Sequence, residues 1–232
     1  MFSKMKSAAI AGAATLVLSA GAASALTFGS IPGGAIKNDG LIPTYGAGTT
    51  SVNGYYGATL ALLGSNANID VEYLGSEASR TNEFVFEGNI LFTTPGTAGS
   101  WAQAGTGTTT VNNVSVGILD FLFDYSRDVP PPVTPDQVAN GSNPDGSGPS
   151  SPANFFVTFN PLGDGTATSG TTVDIWFDDG GAGPDDNHDD MLIRLTVSGG
   201  SISIVPVPAS VPLLLTALGG LGFMARRKRK SA

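Results

Sequence analysis

Short runs of β-branched and aromatic residues, separated by glycine, asparagine and proline, are the feature that most restricts the fold of this chain. In one run Ile69, Val71 and Tyr73 alternate with acidic residues, which is the two-residue period of a strand with one buried face. No interior stretch has a sustained helical period, so the pattern predicts an all-β protein. The predicted strands cover Ala58–Leu63, Asn68–Leu74, Glu83–Phe92, Thr108–Phe123 (as one strand or two), Asn154–Asn160, Thr171–Phe177 and Met191–Val197.

This number of short strands predicts a single β-sandwich or jelly-roll-like domain over residues 26–204. A stretch rich in Pro, Gly and Ser, residues 128–152, is predicted to form neither a ladder nor a helix, and hence to be an exposed loop. The loop could also be a linker between two domains. Because only about three strands follow it, too few to bury a core alone, one domain with a long loop is favoured.

The N-terminus has the pattern of a secretory signal peptide. Lys4 and Lys6 precede an apolar stretch from Ala8 to about Ala20, and Ala23 and Ala25 supply small residues at the positions where signal peptidase is selective. We therefore expect cleavage after Ala25, and residues 1–25 take no part in the fold.

The region between the two ends is strongly acidic. Of the 11 basic residues only Lys37, Arg80, Arg127 and Arg194 lie there, whereas all 19 acidic residues do, so this region carries a formal charge of −15. Such a domain is repelled by nucleic-acid phosphates and attracts cations, and nucleic-acid binding is excluded. The chain has no cysteine, which excludes thiol nucleophiles and Cys-ligated zinc.

Residues 178–190 form a Gly-rich acidic loop between two predicted strands, with six Asp, one Asn and the only His of the chain. Calcium takes six to eight oxygen ligands from such groups, and Asp185-x-Asn187-x-Asp189 has the alternating spacing of a calcium loop. The loop is not an EF-hand, because Asp190 and Thr196 occupy the positions that need Gly and Glu. A solvated loop that binds nothing is the alternative; calcium is favoured. The candidate ligands are Asp178, Asp179, Asp185, Asn187, Asp189 and Asp190.

Catalytic motifs are absent from the sequence, which has no nucleophile elbow, no His-Glu-x-x-His helix and no phosphate-binding Gly loop. His188 has no second His, Cys or nucleophile near it in the sequence. Paired carboxylates, as glycoside hydrolases use, stay an open alternative in so acidic a chain, but a non-enzymatic protein is predicted. Trp101 and Tyr55 are candidate rings for stacking on a sugar.

The C-terminus contains three segments in order. Val205, Pro206, Val207, Pro208 and Ala209 form a short motif, and residues 211–225 form an apolar run. An apolar run followed by cations predicts a membrane segment with a cytoplasmic tail. At 15 residues, roughly 22 Å of helix, it is short for a hydrocarbon core of about 30 Å, which favours a transient anchor. The cations are Arg226, Arg227, Lys228, Arg229 and Lys230.

This C-terminal arrangement resembles the PEP-CTERM family of sorting signals in its VPLPA variant, with Val207 in place of the usual Leu. The resemblance implies export through the Sec translocon, recognition by a membrane-embedded exosortase, and a Gram-negative host that makes exopolysaccharide. The protein would be anchored in the inner membrane before processing and would then reach the cell surface or the extracellular space. Segments 73–84 and 185–194 are similar to recurrent interior features of such cargo proteins.

Three functions are consistent with these observations. The first is a structural or adhesive component of the exopolysaccharide layer, with the acidic loop holding calcium. The second is a carbohydrate-binding module in which exposed aromatic rings and calcium together hold sugar hydroxyls. The third is a secreted glycoside hydrolase. The first is the expected function, since nothing in the sequence indicates a catalytic site.

Overall fold

The computed structural model describes residues 26–31, 51–78, 80–94, 107–125, 136–145, 152–159, 165–180 and 188–205. Within these residues every regular element is a β-strand and none is a helix. The all-β prediction is therefore confirmed for this part of the chain. The strands are β1 (Thr27–Ile31), β2 (Val52–Tyr56), β3 (Leu60–Gly75), β4 (Asn82–Phe86), β5 (Asn89–Thr93), β6 (Thr108–Val114), β7 (Gly117–Ile118), β8 (Phe121–Tyr125), β9 (Asp136–Ala139), β10 (Asn154–Thr158), β11 (Ser169–Gly170), β12 (Thr172–Asp178) and β13 (Met191–Ile204).

The described strands form two antiparallel sheets. The large sheet has the order β1-β2-β10-β12-β13-β3-β6, with β11 paired to β13 and β7 paired to β3. The small sheet has the order β5-β4-β8-β9. Strands from before and after residues 128–152 are neighbours in the large sheet, since β2 pairs with β10 and β3 with β13. Two sheets sharing one core are consistent with a β-sandwich.

Aromatic side chains join the two sheets. Phe123 of β8 stacks on Phe177 of β12 with ring centroids 4.4 Å apart and planes 3° from parallel, and Phe121 lies 5.5 Å from Phe155. All four belong to a single hydrophobic cluster that includes strands of both sheets. Trp176 points to the opposite face of β12, into a second cluster. The central strands of the large sheet are therefore buried on both faces, which explains their continuous apolar runs.

The strand β3 joins two stretches that the sequence predicts as separate strands, Ala58–Leu63 and Asn68–Leu74. It continues from Leu60 to Gly75, paired with β13, which itself extends to Ile204, and the register of the two strands shifts between Ser198 and Gly200. Gly64 pairs with Gly200, and a Cβ placed on Gly200 would lie 2.9 Å from the carbonyl oxygen of Leu63. Glycine therefore permits close backbone approach within this ladder and does not end the strand.

Two other predicted strands are divided in the structure. The run Glu83–Phe92 forms the β4–β5 hairpin, whose turn places Glu87 at φ 49° and Gly88 at φ 72°. Two successive positive φ angles are typical of the turn that matches the twist of paired strands. The run Thr108–Phe123 contains β6 and β7, which pair with β3, and then enters β8 of the small sheet.

The prediction that residues 128–152 form no ladder is wrong for Asp136–Ala139. This segment is β9, which pairs with β8, and Val138 is buried in the core. Side-chain amides secure the residues that follow: Asn140 Nδ2 donates to the carbonyl oxygens of Leu60 and Leu119 at 2.8 and 2.7 Å. The Asn140 amide supplies hydrogen-bond donors that the backbone of a neighbouring strand would otherwise provide. Residues 126–135 and 146–151 lie outside the described residues.

The predicted processing signals lie almost entirely outside the described residues, which end at Val205. This applies to the signal peptide 1–25, the motif from Pro206 onward, the apolar segment 211–225 and the cations 226–230. In the described part of the chain no helix has the length and apolarity to cross a membrane.

Candidate functional site

The two interior segments that resemble recurrent cargo features meet at one end of the large sheet. The acidic loop leaves β12 after Asp178 and returns to β13 at Met191. The strand β3 ends beside it, because Gly75 pairs with Leu192, and the connection from β3 to β4 follows. This connection brings Glu77 against the described ends of the loop. We call Glu77, Asp179, Asp189 and Asp190 the acidic cluster.

Asp179 is held by two donors, one from the connection between β3 and β4 and one from the first residue of β4. Arg80 Nη1 donates to Asp179 Oδ1 at 2.8 Å and to its carbonyl oxygen at 3.0 Å. Asn82 Nδ2 donates to Asp179 Oδ2 at 2.7 Å. Both carboxylate oxygens of this buried residue therefore have donors, which lowers the cost of burying its charge. The pair also fastens the start of the acidic loop to the small sheet.

Asp189 is buried beside Glu77. The Glu77 N–H donates to the Asp189 carbonyl oxygen at 2.8 Å, which holds the two acidic residues together. Burial, followed by the proximity of Glu77 and the charge of Asp190, raises the pKa of Asp189 to about 8. We therefore expect the Asp189 carboxyl group to be largely protonated at neutral pH.

Asp190 lies close to Asp179, on the other side of the cluster. Its Oδ2 accepts a hydrogen bond from the Asp179 N–H at 2.7 Å. Burial and the negative charge of Asp179 raise the pKa of Asp190 to about 7, against the opposing effects of that backbone hydrogen bond and of the Arg80 charge. The cluster therefore carries less negative charge near neutral pH than its four carboxyl groups would suggest.

His188 anchors the returning end of the loop to β10. It is fully buried, with its Nε2 2.8 Å from Asn154 Oδ1 and its ring 5.4 Å from that of Tyr56. Asn154 Nδ2 donates to the Pro152 carbonyl oxygen, so its Oδ1 faces the imidazole and Nε2 carries the proton. His188 has a φ of 53°, a backbone conformation that few non-glycine residues adopt. These contacts give His188 a structural role at the loop.

The predicted calcium ligands are only partly described. Asp178, Asp179, Asp189 and Asp190 lie at the two ends of the loop, whereas Asp185 and Asn187 lie outside the described residues. Among the described side chains no three acidic or His groups converge on one metal position. One observation fits a cation: Asp189 is 2% exposed and its Oδ2 has no hydrogen-bond partner in the described region. Calcium binding stays a prediction.

Tyr55, a predicted sugar-stacking residue, is buried. It is 9% exposed and belongs to the main core. Its hydroxyl donates to the Thr166 carbonyl oxygen at 2.7 Å, and its ring meets the edge of Phe28 at 5.4 Å. Because this ring is buried in the core, the prediction of an exposed ring is wrong for Tyr55. Trp101 lies outside the described residues.

Sequence reasoning missed the basic and amide partners of the loop, Arg80 and Asn82, and its acidic partner Glu77. Two signals pointed to them. All three lie in segment 73–84, and Arg80 is one of only four cations between residues 26 and 204. In a region with a charge of −15, a solitary arginine has many carboxylates with which to pair. A buried carboxylate is stabilised most by such a contact.

We predict that the acidic cluster makes the protein less stable as pH rises. Asp189 and Asp190 have folded-state pKa values near 8 and 7, above the ordinary 3.8, so the folded state binds more protons between these limits and stability falls as pH rises through that window. Asp189→Asn should therefore stabilise the protein at pH 8 by at least about 1.4 kcal/mol, the equivalent of one pKa unit, and by less at pH 5. Thermal melts at both pH values measure this.

Asp120→Asn is the matched control, because Asp120 is exposed, and it should leave the difference between the two melts unchanged. An Asp189→Asn protein with the same pH profile as the parent would contradict the assignment.

The same melts also test calcium. A bound cation needs ionised ligands, so calcium should raise the melting temperature at pH 8 more than at pH 5. If calcium and chelator have no effect at pH 8, structural calcium is excluded.

No family model matches the chain, and neither the curated proteins nor the solved structures contain a match to it. Its residues, their geometry and the resemblance of its C-terminal segment therefore carry the functional proposal.

Proposed function

We propose that this chain is an exported protein of the cell surface or extracellular matrix, sorted by an exosortase through residues 205–230. Its folded region is a single β-sandwich, jelly-roll-like domain with a structural or adhesive role in the exopolysaccharide layer, and no catalytic activity is expected of it. Signal peptidase and the Sec translocon act on it before the exosortase, and the membrane holds it through residues 211–225 until it is processed.

The observation that supports this proposal is the position of the fold between the two processing signals. The first strand begins at Thr27, just after the predicted cleavage site. At the other end the Ile204 N–H donates to the Thr168 carbonyl oxygen at 2.9 Å, and the Val205 N–H donates to that of Thr59 at 2.8 Å. Val205 is also the first residue of the sorting motif. Cleavage beyond it would leave these hydrogen bonds of the last strand in place.

The two alternative functions receive less support. Calcium-dependent sugar binding loses one of its two proposed rings, because Tyr55 is buried. Glycoside hydrolysis needs two carboxyl groups separated by about 5–9.5 Å on either side of a sugar. Asp189, which lies beside Glu77, is 2% exposed, so this pair does not flank a cleft that is open to a sugar.

We predict that the mature protein in its native host lacks both ends. Signal peptidase should remove residues 1–25, and the exosortase should remove the cationic tail 226–230, since a sorting signal is a substrate of its enzyme. Intact-mass spectrometry of the purified mature protein measures both changes in one experiment. An N-terminus at Leu26 together with a truncated C-terminus is the expected result.

A protein with both Pro206→Ala and Pro208→Ala should keep its tail, because the motif is altered. The matched control is Ser210→Ala, just outside the motif, which should still be processed. A mature parent protein that retains all five C-terminal cations would refute processing at this motif.

A further inference from the structure

One end of the large sheet carries no charge, although the domain as a whole is strongly acidic. Four segments meet there, and we call this end the uncharged pole. Ser203 pairs with Ser169, and Leu62 pairs with Gly117, while Val205 is hydrogen-bonded to Thr59. None of the four contains Asp, Glu, Lys, Arg or His: residues 57–69, 111–119, 165–173 and 195–205.

The carboxylates of the large sheet lie toward its other end. The strand β13 connects the two ends, beginning at Met191 beside the acidic cluster and ending at Ile204 in the uncharged pole. Described carboxylates adjoin these segments: Asp120 follows Leu119, and its carbonyl oxygen accepts a hydrogen bond from the Glu87 N–H, while Asp70 follows Ile69 and pairs with Thr196.

The uncharged pole also exposes apolar side chains. Ile118 is 60% exposed, Val116 49% and Leu63 47%. Ile118 pairs with Ala61, and Leu63 follows two residues later on the same strand, so both side chains project from one face of the sheet. Ser201 and Ser203 pair with Leu63 and Ala61 and place neutral hydroxyl groups on the same face. These exposed apolar side chains and neutral hydroxyl groups form the surface of the uncharged pole.

Val205, the last described residue, lies at this pole, and the apolar segment follows soon afterwards in the sequence. Residues 206–210 separate Val205 from the start of that segment at residue 211. Even a fully extended connection of this length spans only about 20 Å. When residues 211–225 are inserted in a bilayer, the pole must therefore lie within that distance of its surface.

We propose that the uncharged pole docks on the bilayer surface, with Leu63, Val116 and Ile118 in the interfacial region, while residues 211–225 span the membrane. This inference depends on the membrane segment of the proposed function. Anionic headgroups repel carboxylates within a Debye length of about 8–10 Å. Docking through the pole turns the acidic cluster, at the other end of β13, away from the lipid, whereas the opposite orientation would bring the cluster to the lipid. Docking also holds the sorting motif at headgroup depth, where a membrane-embedded enzyme acts.

The experiment uses the full chain in vesicles of phosphatidylethanolamine and phosphatidylglycerol. Because the chain has no cysteine, single-cysteine variants carry one environment-sensitive fluorophore each. Ile118→Cys and Leu63→Cys report the pole, and Thr108→Cys, exposed on the same sheet opposite Glu72, is the matched control. We expect nitroxide-labelled lipid to quench most of the fluorescence at positions 63 and 118, and little at 108. Adding Val116→Asp to the Ile118→Cys protein should restore fluorescence at 118.

Flotation of the vesicles after an alkaline wash separates the possible failures. A chain that does not float has no inserted segment, and this outcome refutes the membrane anchor of the proposed function together with the docking. A chain that floats, but whose label at 118 is quenched no more than that at 108, refutes the docking alone. If the fluorophore at position 118 still reports an apolar environment in detergent, and this signal falls on dilution, the label lies in a contact between two copies of the chain. That result also overturns the proposal.

Discussion

Replacing Phe123 with alanine is expected to destabilise the domain by about 3–5 kcal/mol, the range for deleting a buried phenylalanine ring. Phe123 is fully buried and stacks on Phe177 across the interface of the two sheets. Its ring also lies 5.2 Å from Phe84 and 5.9 Å from Phe155. Removing it opens a cavity at the point where the two sheets are joined. Chemical denaturation followed by tryptophan fluorescence measures the loss, since Trp176 is itself buried.

Two controls accompany this variant. Phe123→Leu keeps much of the buried volume, so its loss should be clearly smaller than that of the alanine variant. Ile90→Ala removes a side chain that is mostly exposed on β5 and should change stability by no more than about 0.5 kcal/mol. If Phe123→Ala costs no more than Ile90→Ala, the two sheets do not share the core described here.

Replacing Arg194 with methionine is expected to cost about 3–5 kcal/mol, because it leaves the buried carboxylate of Asp174 without its counter-charge. Arg194 Nε and Nη2 donate to the two carboxylate oxygens of Asp174 at 2.7 and 2.8 Å, across neighbouring strands of the large sheet. The Asp174 side chain is 1% exposed and that of Arg194 15%. Equilibrium denaturation of the two single variants and the double variant forms a double-mutant cycle.

The double variant Asp174→Leu with Arg194→Met should recover most of the loss, since replacing both members of a buried ion pair with apolar residues is often neutral. Arg194→Lys keeps the charge but not the two parallel hydrogen bonds, so its stability should fall between those of the parent and Arg194→Met. Equal stability of the parent and Arg194→Met would show that the pair is solvated in solution.

Most of the strands follow from the alternation and β-branched content of the sequence, but their ends depend on partners elsewhere in the chain. Gly64 and Gly200 each favour a break when considered locally, and only their pairing across β3 and β13 makes them part of one ladder. The Glu87-Gly88 turn carries a weaker signal than Asn-Gly, so its two positive φ angles could not be anticipated. The strand β9 is four residues long, with Val138 its one large apolar side chain.

The candidate site, like the strands, is only partly predictable from the sequence. The clustering of aspartates in residues 178–190 is visible in the sequence, because ligand-type residues repeat there at short intervals. Their pairing with Arg80 and with Glu77, about 100 residues earlier, depends on β3 and β13 being neighbours, and strand order cannot be read from local patterns. Tyr55 is a residue for which the sequence suggested a site and the fold does not support it. Its hydroxyl group is compatible with an exposed position, and only the fold shows that it donates to the Thr166 carbonyl oxygen.

The strand that ends at the proposed sorting motif also determines how the domain would resist mechanical load. A pull on Val205 along the axis of β13 acts at right angles to its hydrogen bonds, since antiparallel ladders run perpendicular to their strands. The strand is bonded on both sides, to β3 along its length, to β11 near Val205 and to β12 further back, so such a pull shears ladders on both sides together and does not peel them open one bond at a time. A protein tethered through this terminus would therefore bear tension through its most extensively paired strand.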